Sequence, residues 1–320
     1  MAKRQGKVNP DAQVQTSQEV AKKAVYLNNL LDCSEKEIYS KDGPKKPLIG
    51  YGDGSFFARV PIDDKVWATF PIENENIQVS RKKADSEGKR AANVGKYDLK
   101  FDADTVVTAR IREDGKDVYK ELPISGIATY MNAPADKKLN AGWTKDIPNV
   151  DAPEKPTREK VDHSNDGFIN GVKRYPSGVI YGENRPNGPK AYFDAYSNEH
   201  KLEIPVKKID NGYQYGVIGV SNDMMFKSVK YNKDKSAPKE FISDTYNINL
   251  GDNDKMIDVT IRTPGSTDKE TVSMRVGDIS EAYNQWRDAH RNKSTEKAKE
   301  VENEKQVDAE FEDNDLECPV

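Results

Sequence analysis

Short runs of alternating apolar and polar residues, broken by Gly, Pro and Asp, dominate the sequence from Leu48 onward. Alternation with a period of two places the apolar side chains on one face of a β-strand. Residues 55–61 and 65–72 are joined by a short link that contains Asp, and residues 105–112 and 117–124 are joined by Glu-Asp-Gly-Lys. Links of this composition are typical of β-hairpins. The pattern predicts a small antiparallel sheet.

The same alternation returns towards the end of the chain. Residues 244–250 are expected to form one strand, and residues 256–262 and 270–276 alternate on either side of a turn at Pro264 and Gly265. We therefore expect a β-rich α+β fold. Its core is either an antiparallel sheet or an oligonucleotide-binding-type barrel, with a few flanking helices and a disordered acidic C-terminal tail.

Two stretches have helical rather than strand spacing. Apolar residues recur every three or four positions from Val20 to Leu31, which predicts a helix over residues 17–32. A second helix is expected over residues 279–291, where the same periodicity follows a capping-box sequence. Both helices are expected to pack on the β-rich body.

The composition divides the chain into three parts. Residues 1–15 are polar and basic and predict a flexible arm, residues 16–295 form the β-rich body, and residues 296–320 form the acidic tail. An internal boundary is placed at residues 133–167, which contain four prolines and no regular periodicity. Trp143 lies inside this stretch and is expected to dock on the protein's own core.

The charges are strongly segregated along the chain. Because the whole chain carries a net charge of −4 and residues 300–320 carry −8, residues 1–299 carry +4. A basic body with an acidic tail suits a protein that binds a polyanion, since the tail can screen the basic surface until a stronger polyanion displaces it. The tail residues expected to bind partners are Asp308, Glu310, Phe311, Glu312, Asp313, Asp315, Leu316 and Glu317.

Several classes of protein lack support in the sequence. No apolar run approaches the ~20 residues of a membrane-spanning helix. The start of the chain has no apolar signal segment, and two cysteines form no disulfide framework, so we expect a cytoplasmic protein. The three histidines have no metal-ligand spacing and the common nucleotide-binding motifs are absent. We therefore expect no metal, no cofactor and no catalytic residue.

A basic stretch lies between the first two predicted hairpins. Residues 80–100 contain seven bases and three acids. A long basic loop between hairpins of a barrel can follow the phosphates of a bound strand, although a solvated insertion explains the same composition equally well. The residues expected to contact phosphates here are Arg81, Lys82, Lys83, Lys89 and Arg90.

Residues 168–246 combine aromatic and basic side chains. Eight of the fifteen tyrosines fall in this stretch. Aromatic rings can stack on unpaired bases while cations follow the backbone, but tyrosines in strands more often pack in a core. The side chains expected to bind nucleic acid are Lys173, Arg174, Tyr175, Tyr181, Arg185, Tyr192, Lys227, Lys230 and Tyr231.

The acidic tail and the β-rich, basic and aromatic body together resemble, at the level of architecture, the acidic-tailed single-stranded DNA-binding proteins of bacteriophage replication systems. The resemblance implies an oligonucleotide-binding barrel that coats exposed strands without catalysis. It also implies that the tail recruits replication or recombination proteins. In this chain the tail ends in Cys-Pro-Val rather than in an aromatic residue.

Two other functions fit parts of the sequence. A virion structural or assembly protein would also have β-rich modules and charged ends. A metal-dependent nuclease needs only a few carboxylates and a lysine, as in Asp63, Asp64 and Lys65, but such groups arise by chance in a chain so rich in acids. The sequence leaves open whether the bound strand is DNA or RNA and whether the protein forms a homo-oligomer.

Overall fold

Strands make up most of the part of the chain that the structure describes. The computed structural model describes residues 23–40, 45–52, 54–113, 115–132, 142–154, 162–210, 212–230, 240–262 and 268–291. The strands are β1 (Ala24–Asp32), β2 (Leu48–Gly52), β3 (Ser55–Pro61), β4 (Trp67–Ile72), β5 (Ile77–Arg81), β6 (Ala92–Asp102), β7 (Val106–Glu113), β8 (Lys116–Pro123), β9 (Asn149–Val150), β10 (Asp166–Lys173), β11 (Lys190–Asp194), β12 (Glu199–Ile209), β13 (Gly212–Val220), β14 (Met225–Lys230), β15 (Glu240–Asp252), β16 (Met256–Arg262) and β17 (Lys269–Arg275).

Helices are few and mostly short. They are α1 (Glu35–Ile38), α2 (Ile124–Asn132), α3 (Ser177–Ile180) and α4 (276–291), with 3₁₀ turns at Asn74–Asn76 and Asn222–Met224. No helix within the described ranges is long and apolar enough to cross a membrane.

The strands form three sheets. The largest has the order β5-β6-β1-β2-β3-β4-β7-β8-β9, and the others have the orders β10-β15-β14 and β11-β12-β13-β16-β17. Among the described strands, every paired neighbour is antiparallel except β1 and β2. The β-rich α+β class and the antiparallel sheet are confirmed. Within the described residues no pairing closes a sheet into a barrel.

The second half of the fold repeats the first. Repeat 1 (residues 24–132) runs strand, short helix, three strands, 3₁₀ turn, four strands and helix, and repeat 2 (residues 166–291) has the same succession. The pairings also correspond, because β10-β15-β14 matches β1-β6-β5 and β11-β12-β13-β16-β17 matches β2-β3-β4-β7-β8. In repeat 1, β1 and β2 pair in parallel. In repeat 2 the equivalent pairing is a single parallel bridge between Arg174 and Ala191.

Unusual backbone conformations recur at equivalent positions of the two repeats. Asn29 in β1 has φ 61° and Gly171 in β10 has φ 74°, and each lies at the register shift of its strand. Gly95 in β6 has φ 79° and its equivalent in β15, Asp244, has φ 54°. Left-handed residues are uncommon outside glycine, so their recurrence supports the correspondence independently of strand order.

The repeats face each other through equivalent side chains. The Tyr97 hydroxyl donates to the Phe193 carbonyl at 3.2 Å, and the Tyr246 hydroxyl donates to the Tyr51 carbonyl at 3.3 Å. The strand registers make Tyr97 equivalent to Tyr246 and Tyr51 equivalent to Phe193. The two hydrogen bonds are therefore one contact made twice, as in a symmetric interface.

Two further pairs of equivalent residues, one from each repeat, contact each other directly. Phe56 and its equivalent His200 stack with ring centroids 5.3 Å apart and planes 5° apart. Asn74 and Asn222 begin the two 3₁₀ turns, and the Asn222 amide donates to Asn74 Oδ1 at 2.8 Å. Buried apolar side chains from both repeats form one continuous cluster around these contacts, which joins the chain on both sides of residues 133–167.

The helix predicted over residues 17–32 is wrong where the chain is described. Residues 24–32 form β1, in which Leu27 and Leu30 are fully buried. The register shift around Asn29 places these two leucines three positions apart on one face of a strand, which imitates helical spacing. The helix expected over residues 279–291 is confirmed and begins at residue 276.

The predicted hairpins are confirmed, with one correction. Strands β3 and β4, β7 and β8, and β16 and β17 pair as expected. Residues 80–100 are not a long loop, because β5 pairs with β6 and only residues 82–91 connect them. The arm over residues 1–15 and the tail over residues 296–320 lie outside the described residues.

Candidate nucleic-acid interface

The basic stretch forms the end of the β5–β6 hairpin. Arg81 closes β5, and the exposed turn that follows is held by Asp85, whose Oδ1 accepts the backbone N–H groups of Glu87 and Lys89. Lys89 pairs with Glu87 at 2.8 Å. The remaining predicted cations of this hairpin form no ion pair within the described ranges and are exposed, namely Arg81, Lys82, Lys83 and Arg90.

A groove joins this hairpin to repeat 2. It has a volume of about 270 Å³ and lies between β6, α3 and the turn after β11. Its rim carries Tyr181, which is 53% exposed, and Tyr196, which is 68% exposed. The Arg81 guanidinium lies 5.8 Å from the centre of the Tyr196 ring, close enough for a cation–π contact. We call this the hairpin groove.

Two glycines lie where β6 and α3 come closest. Gly95 has a φ of 79°, which favours glycine, and a Cβ built there would lie 3.1 Å from the Cα of Gly178, tighter than an ordinary contact. The floor of the groove is apolar, because Tyr97 and Phe193 are buried there. An apolar floor with an aromatic and cationic rim can accept a flat base and place its phosphate beside the hairpin.

The equivalent position in the other half is filled. There Lys227 pairs with Glu35 at 2.7 Å, and the Asp244 carboxylate accepts the backbone N–H of Glu35 at 2.7 Å. The Lys227 ammonium also lies 5.3 Å from the centre of the Phe241 ring. The hairpin groove is thus open, whereas an ion pair closes the equivalent position beside β15 and α1.

The charged side chains around Tyr181 affect its ionisation. Burial, followed by the negative charge of Asp194, raises the pKa of the Tyr181 hydroxyl to about 12. The ring therefore stays neutral over the whole working range of pH. A neutral phenol can stack on a base without repelling its phosphate.

For three residues the prediction of a nucleic-acid contact is corrected, because the side chain is buried or its charge is already paired. Arg174 is 1% exposed and its guanidinium pairs with Asp32 at 3.2 Å, so it cannot reach a phosphate. Tyr192 is 6% exposed, which leaves no face for a base. The charge of Lys227 is neutralised by Glu35.

The remaining predicted residues do not line the hairpin groove. Arg185 pairs with Glu203, while Lys173 is exposed with its ammonium 5.1 Å from the centre of the half-buried Tyr175 ring. Lys230 is exposed at the end of β14. Tyr231 and the tail residues Asp308, Glu310, Phe311, Glu312, Asp313, Asp315, Leu316 and Glu317 lie outside the described residues.

The structure has a second basic and aromatic surface, which the sequence analysis did not predict. On the outer face of β3, β4 and β7, the Arg59 guanidinium lies 5.3 Å from the centre of the Trp67 ring, and Arg110 pairs with Asp117 at 3.6 Å. The concave surface has a volume of about 420 Å³. We call it the sheet face, and it comprises Tyr39, Phe57, Arg59, Lys65, Trp67, Arg110 and Arg112.

Alternation could have revealed the sheet face. Arg110 and Arg112 flank the fully buried Ile111, so both had to point to the other side of β7. The tyrosine at its edge, Tyr39, follows α1 as Tyr181 follows α3. The two surfaces therefore each carry an exposed tyrosine at an equivalent helix end.

The carboxylates considered for a metal site have other partners. Asp63 accepts the backbone N–H of Gly142, and Asp64 accepts the Tyr130 hydroxyl at 3.1 Å. Within the described residues no three His, Cys, Asp or Glu side chains are grouped as metal ligands.

No protein-family model, curated protein or solved structure matches the chain.

Proposed function

We propose that the protein binds single-stranded DNA without sequence preference and without catalysis, and that the hairpin groove is its main contact. One observation carries the proposal: the basic hairpin of residues 77–102 and the exposed tyrosines Tyr181 and Tyr196 lie far apart in sequence and share one groove. Cations beside an aromatic rim are the combination that single-strand binding requires.

The chemistry of the groove favours unpaired bases over a duplex. The rim tyrosines offer ring faces, which only unstacked bases can cover, and stacking contributes about 1–3 kcal/mol per base. The hairpin cations add an electrostatic contribution to the binding free energy, which does not depend on base sequence and weakens as the salt concentration rises. The oligonucleotide-binding barrel that the resemblance implies is not required, because the β5–β6 hairpin supplies cations and the segments after α3 and β11 supply Tyr181 and Tyr196.

The acidic tail has two roles in this proposal. Residues 308–317 carry six carboxylates and compete with the nucleic acid for the basic surface. When a strand displaces them, they become available to replication or recombination proteins. Removing the tail should therefore tighten strand binding.

The test is a fluorescence-anisotropy titration of a labelled oligo-dT and of a matching duplex at low and moderate salt. Full-length protein and a chain that ends at Val307 are compared. Salt-sensitive preference for the single strand, increased by the truncation, supports strand binding and tail competition together. Binding that the truncation leaves unchanged removes the competition alone, and no binding to either probe removes the nucleic-acid function.

The alternatives make different predictions in the same experiment. A virion structural or assembly protein should form oligomers that persist at high salt and ignore the oligonucleotide. A metal-dependent nuclease should shorten the labelled strand when a divalent cation is added.

A further inference from the structure

The sheet face carries an excess of positive charge. Its charged side chains are the cations Arg59, Lys65, Arg110 and Arg112 and the carboxylate Asp117. Four cations and one carboxylate give the lining a net charge of +3. Asp117 pairs with Arg110 at 3.6 Å, and the other three cations form no ion pair with any residue that the structure describes.

The strand registers arrange this charge in rows. Arg59 pairs with Thr69, and Thr69 pairs with Arg110, so these residues form one row across β3, β4 and β7. Trp67 and Arg112 lie side by side in the next row, two positions away along their strands. Adjacent strands lie about 4.8 Å apart, and residues two positions apart on one strand are separated by about 7 Å. Three arginines and an aromatic ring therefore share one compact patch.

The rings at the sheet face are accessible. Tyr39 is 73% exposed, and Trp67 is half-buried with the Arg59 guanidinium 5.3 Å from the centre of its ring. Guanidinium groups bind phosphate through two parallel hydrogen bonds and also stack on aromatic rings. Arginines beside accessible rings can thus contact both the backbone and the bases of an unpaired strand.

Repeat 2 shows that the architecture does not require this charge. The strand registers make Glu203 the equivalent of Arg59 and Thr260 the equivalent of Arg110. Glu203 pairs with two cations of its own repeat, Arg185 among them. Because the same outer face is neutralised within repeat 2, the excess charge of repeat 1 points to an anionic ligand.

We propose that the sheet face is a second binding site for a single strand of nucleic acid, with a base against Tyr39 or Trp67 and phosphates at Arg59, Arg110 and Arg112. The inference goes beyond the hairpin groove and rests on the proposed function for the class of ligand. A duplex keeps its bases stacked inside, and a peptide of acidic residues has no bases. Either would contact the cations and leave the rings uncovered.

The two sites lie on opposite sides of the nine-stranded sheet. Ile111 and Tyr97 both point into the buried core, and Tyr97 lies in the floor of the hairpin groove. Arg110 and Arg112 flank Ile111 on β7 and point to the other side. Each site can therefore be altered without touching the other, and each should bind a short strand independently.

The experiment measures the fluorescence anisotropy of a labelled oligo-dT of about six nucleotides, which suits a single site. The full-length chain is compared with three variants. The groove variant carries Lys82→Gln, Lys83→Gln and Tyr181→Ala, and the face variant carries Arg110→Gln, Arg112→Gln and Tyr39→Ala. All six side chains are exposed, and the third variant combines the two sets.

The groove variant should retain weaker, salt-sensitive binding, and the combined variant should bind at least tenfold more weakly than the groove variant. A matched control adds Lys100→Gln, Lys269→Gln and Tyr26→Ala to the groove variant. These three exposed residues line neither site, so the control should leave the remaining binding unchanged.

Loss of all binding in the groove variant, or remaining binding that the face substitutions leave intact, overturns the second site while the proposed function stands. Failure of the unaltered protein to bind the oligonucleotide overturns both. A labelled oligo-glutamate that binds the face as tightly as oligo-dT also overturns the second site, because an acidic polypeptide is then its ligand. Thermal unfolding of each variant shows whether its body is intact.

Discussion

Asp32 and Arg174 occupy equivalent positions in the two repeats and form an ion pair with each other. Each lies two residues before the N-cap of its short helix, Ser34 or Pro176. Their side chains are 0% and 1% exposed, and the N–O distance is 3.2 Å. The carboxylate of Asp32 also accepts the backbone N–H of Ser177 at 2.6 Å. The pair therefore ties the two repeats together at a fully buried contact.

Breaking this pair should destabilise the whole protein. Asp32→Asn or Arg174→Met leaves one charge buried without its partner, and we expect the free energy of unfolding to fall by about 3–5 kcal/mol. Denaturant unfolding measures the change. The double variant should lose less than the sum of the two single variants, because the second change removes the stranded charge. Strict additivity would contradict the assignment of a coupled pair.

His200 should make stability depend on pH. Burial, and then the positive charge of Arg174, lower the pKa of this imidazole well below its usual value. Its Nε2 lies 3.4 Å from Nε of Arg174, which donates to it, while Nδ1 lies 3.1 Å from Oδ1 of Asn222. The geometry fits a neutral ring that carries its proton on Nδ1.

The sign follows from linkage. The unfolded chain takes up a proton on this histidine below about pH 6.5, whereas the folded protein does not, so stability falls as the pH falls below that value. Between pH 7.5 and 5.5 the wild-type protein should lose about 1.4 kcal/mol more than His200→Gln, as measured by urea unfolding at both pH values. Equal losses would show that His200 is protonated in the folded state.

Local sequence patterns predicted the hairpins correctly but predicted a helix where β1 lies, and the reason for that error shows the limit of such patterns. Strand alternation and turn composition involve neighbouring residues, so β7 and β8 could be recognised directly. The left-handed bulge at Asn29 shifts the alternation of β1 and made a strand look helical. A bulge has no reliable signature in a single sequence.

The duplication and the hairpin groove could not be predicted from the sequence. Equivalent residues such as Phe56 and His200 share a position but little chemistry. Arg174 looked like a surface cation because it lies between Lys173 and Tyr175, yet its partner Asp32 is distant in sequence. The groove brings β6 of repeat 1 together with Tyr181 and Tyr196 of repeat 2, and Arg81 lies beside the Tyr196 ring; only the packing of the repeats creates these contacts.

The hairpin cations should set the salt dependence of strand binding. For single strands, the slope of log K against log salt changes by about 0.7 for each phosphate contact. Lys82→Gln combined with Lys83→Gln should therefore reduce the slope by about 1.4 in anisotropy titrations with oligo-dT. The control pair Lys116→Gln, Lys269→Gln alters exposed lysines of other strands and should leave the slope unchanged. A slope insensitive to the hairpin variant would remove the hairpin from the interface.

Tyr181 should contribute through its ring and not through its hydroxyl. Tyr181→Ala should weaken oligo-dT binding between about fivefold and a hundredfold, which corresponds to stacking on one base. Tyr181→Phe should bind like the wild type. Tyr26→Ala is the control, because Tyr26 is also exposed and lies outside the groove. Weakening by the phenylalanine variant equal to that by alanine would point to a hydrogen bond instead of stacking.

The most direct measurement is to map where a bound strand touches the protein. Oligo-dT is crosslinked to the full-length chain by ultraviolet light, and the modified peptides are identified by mass spectrometry. The account predicts modification of the peptides that contain Tyr181 and Tyr196, at the rim of the hairpin groove. Modification confined to the sheet face, at Tyr39 or Trp67, or the absence of any crosslink would contradict it.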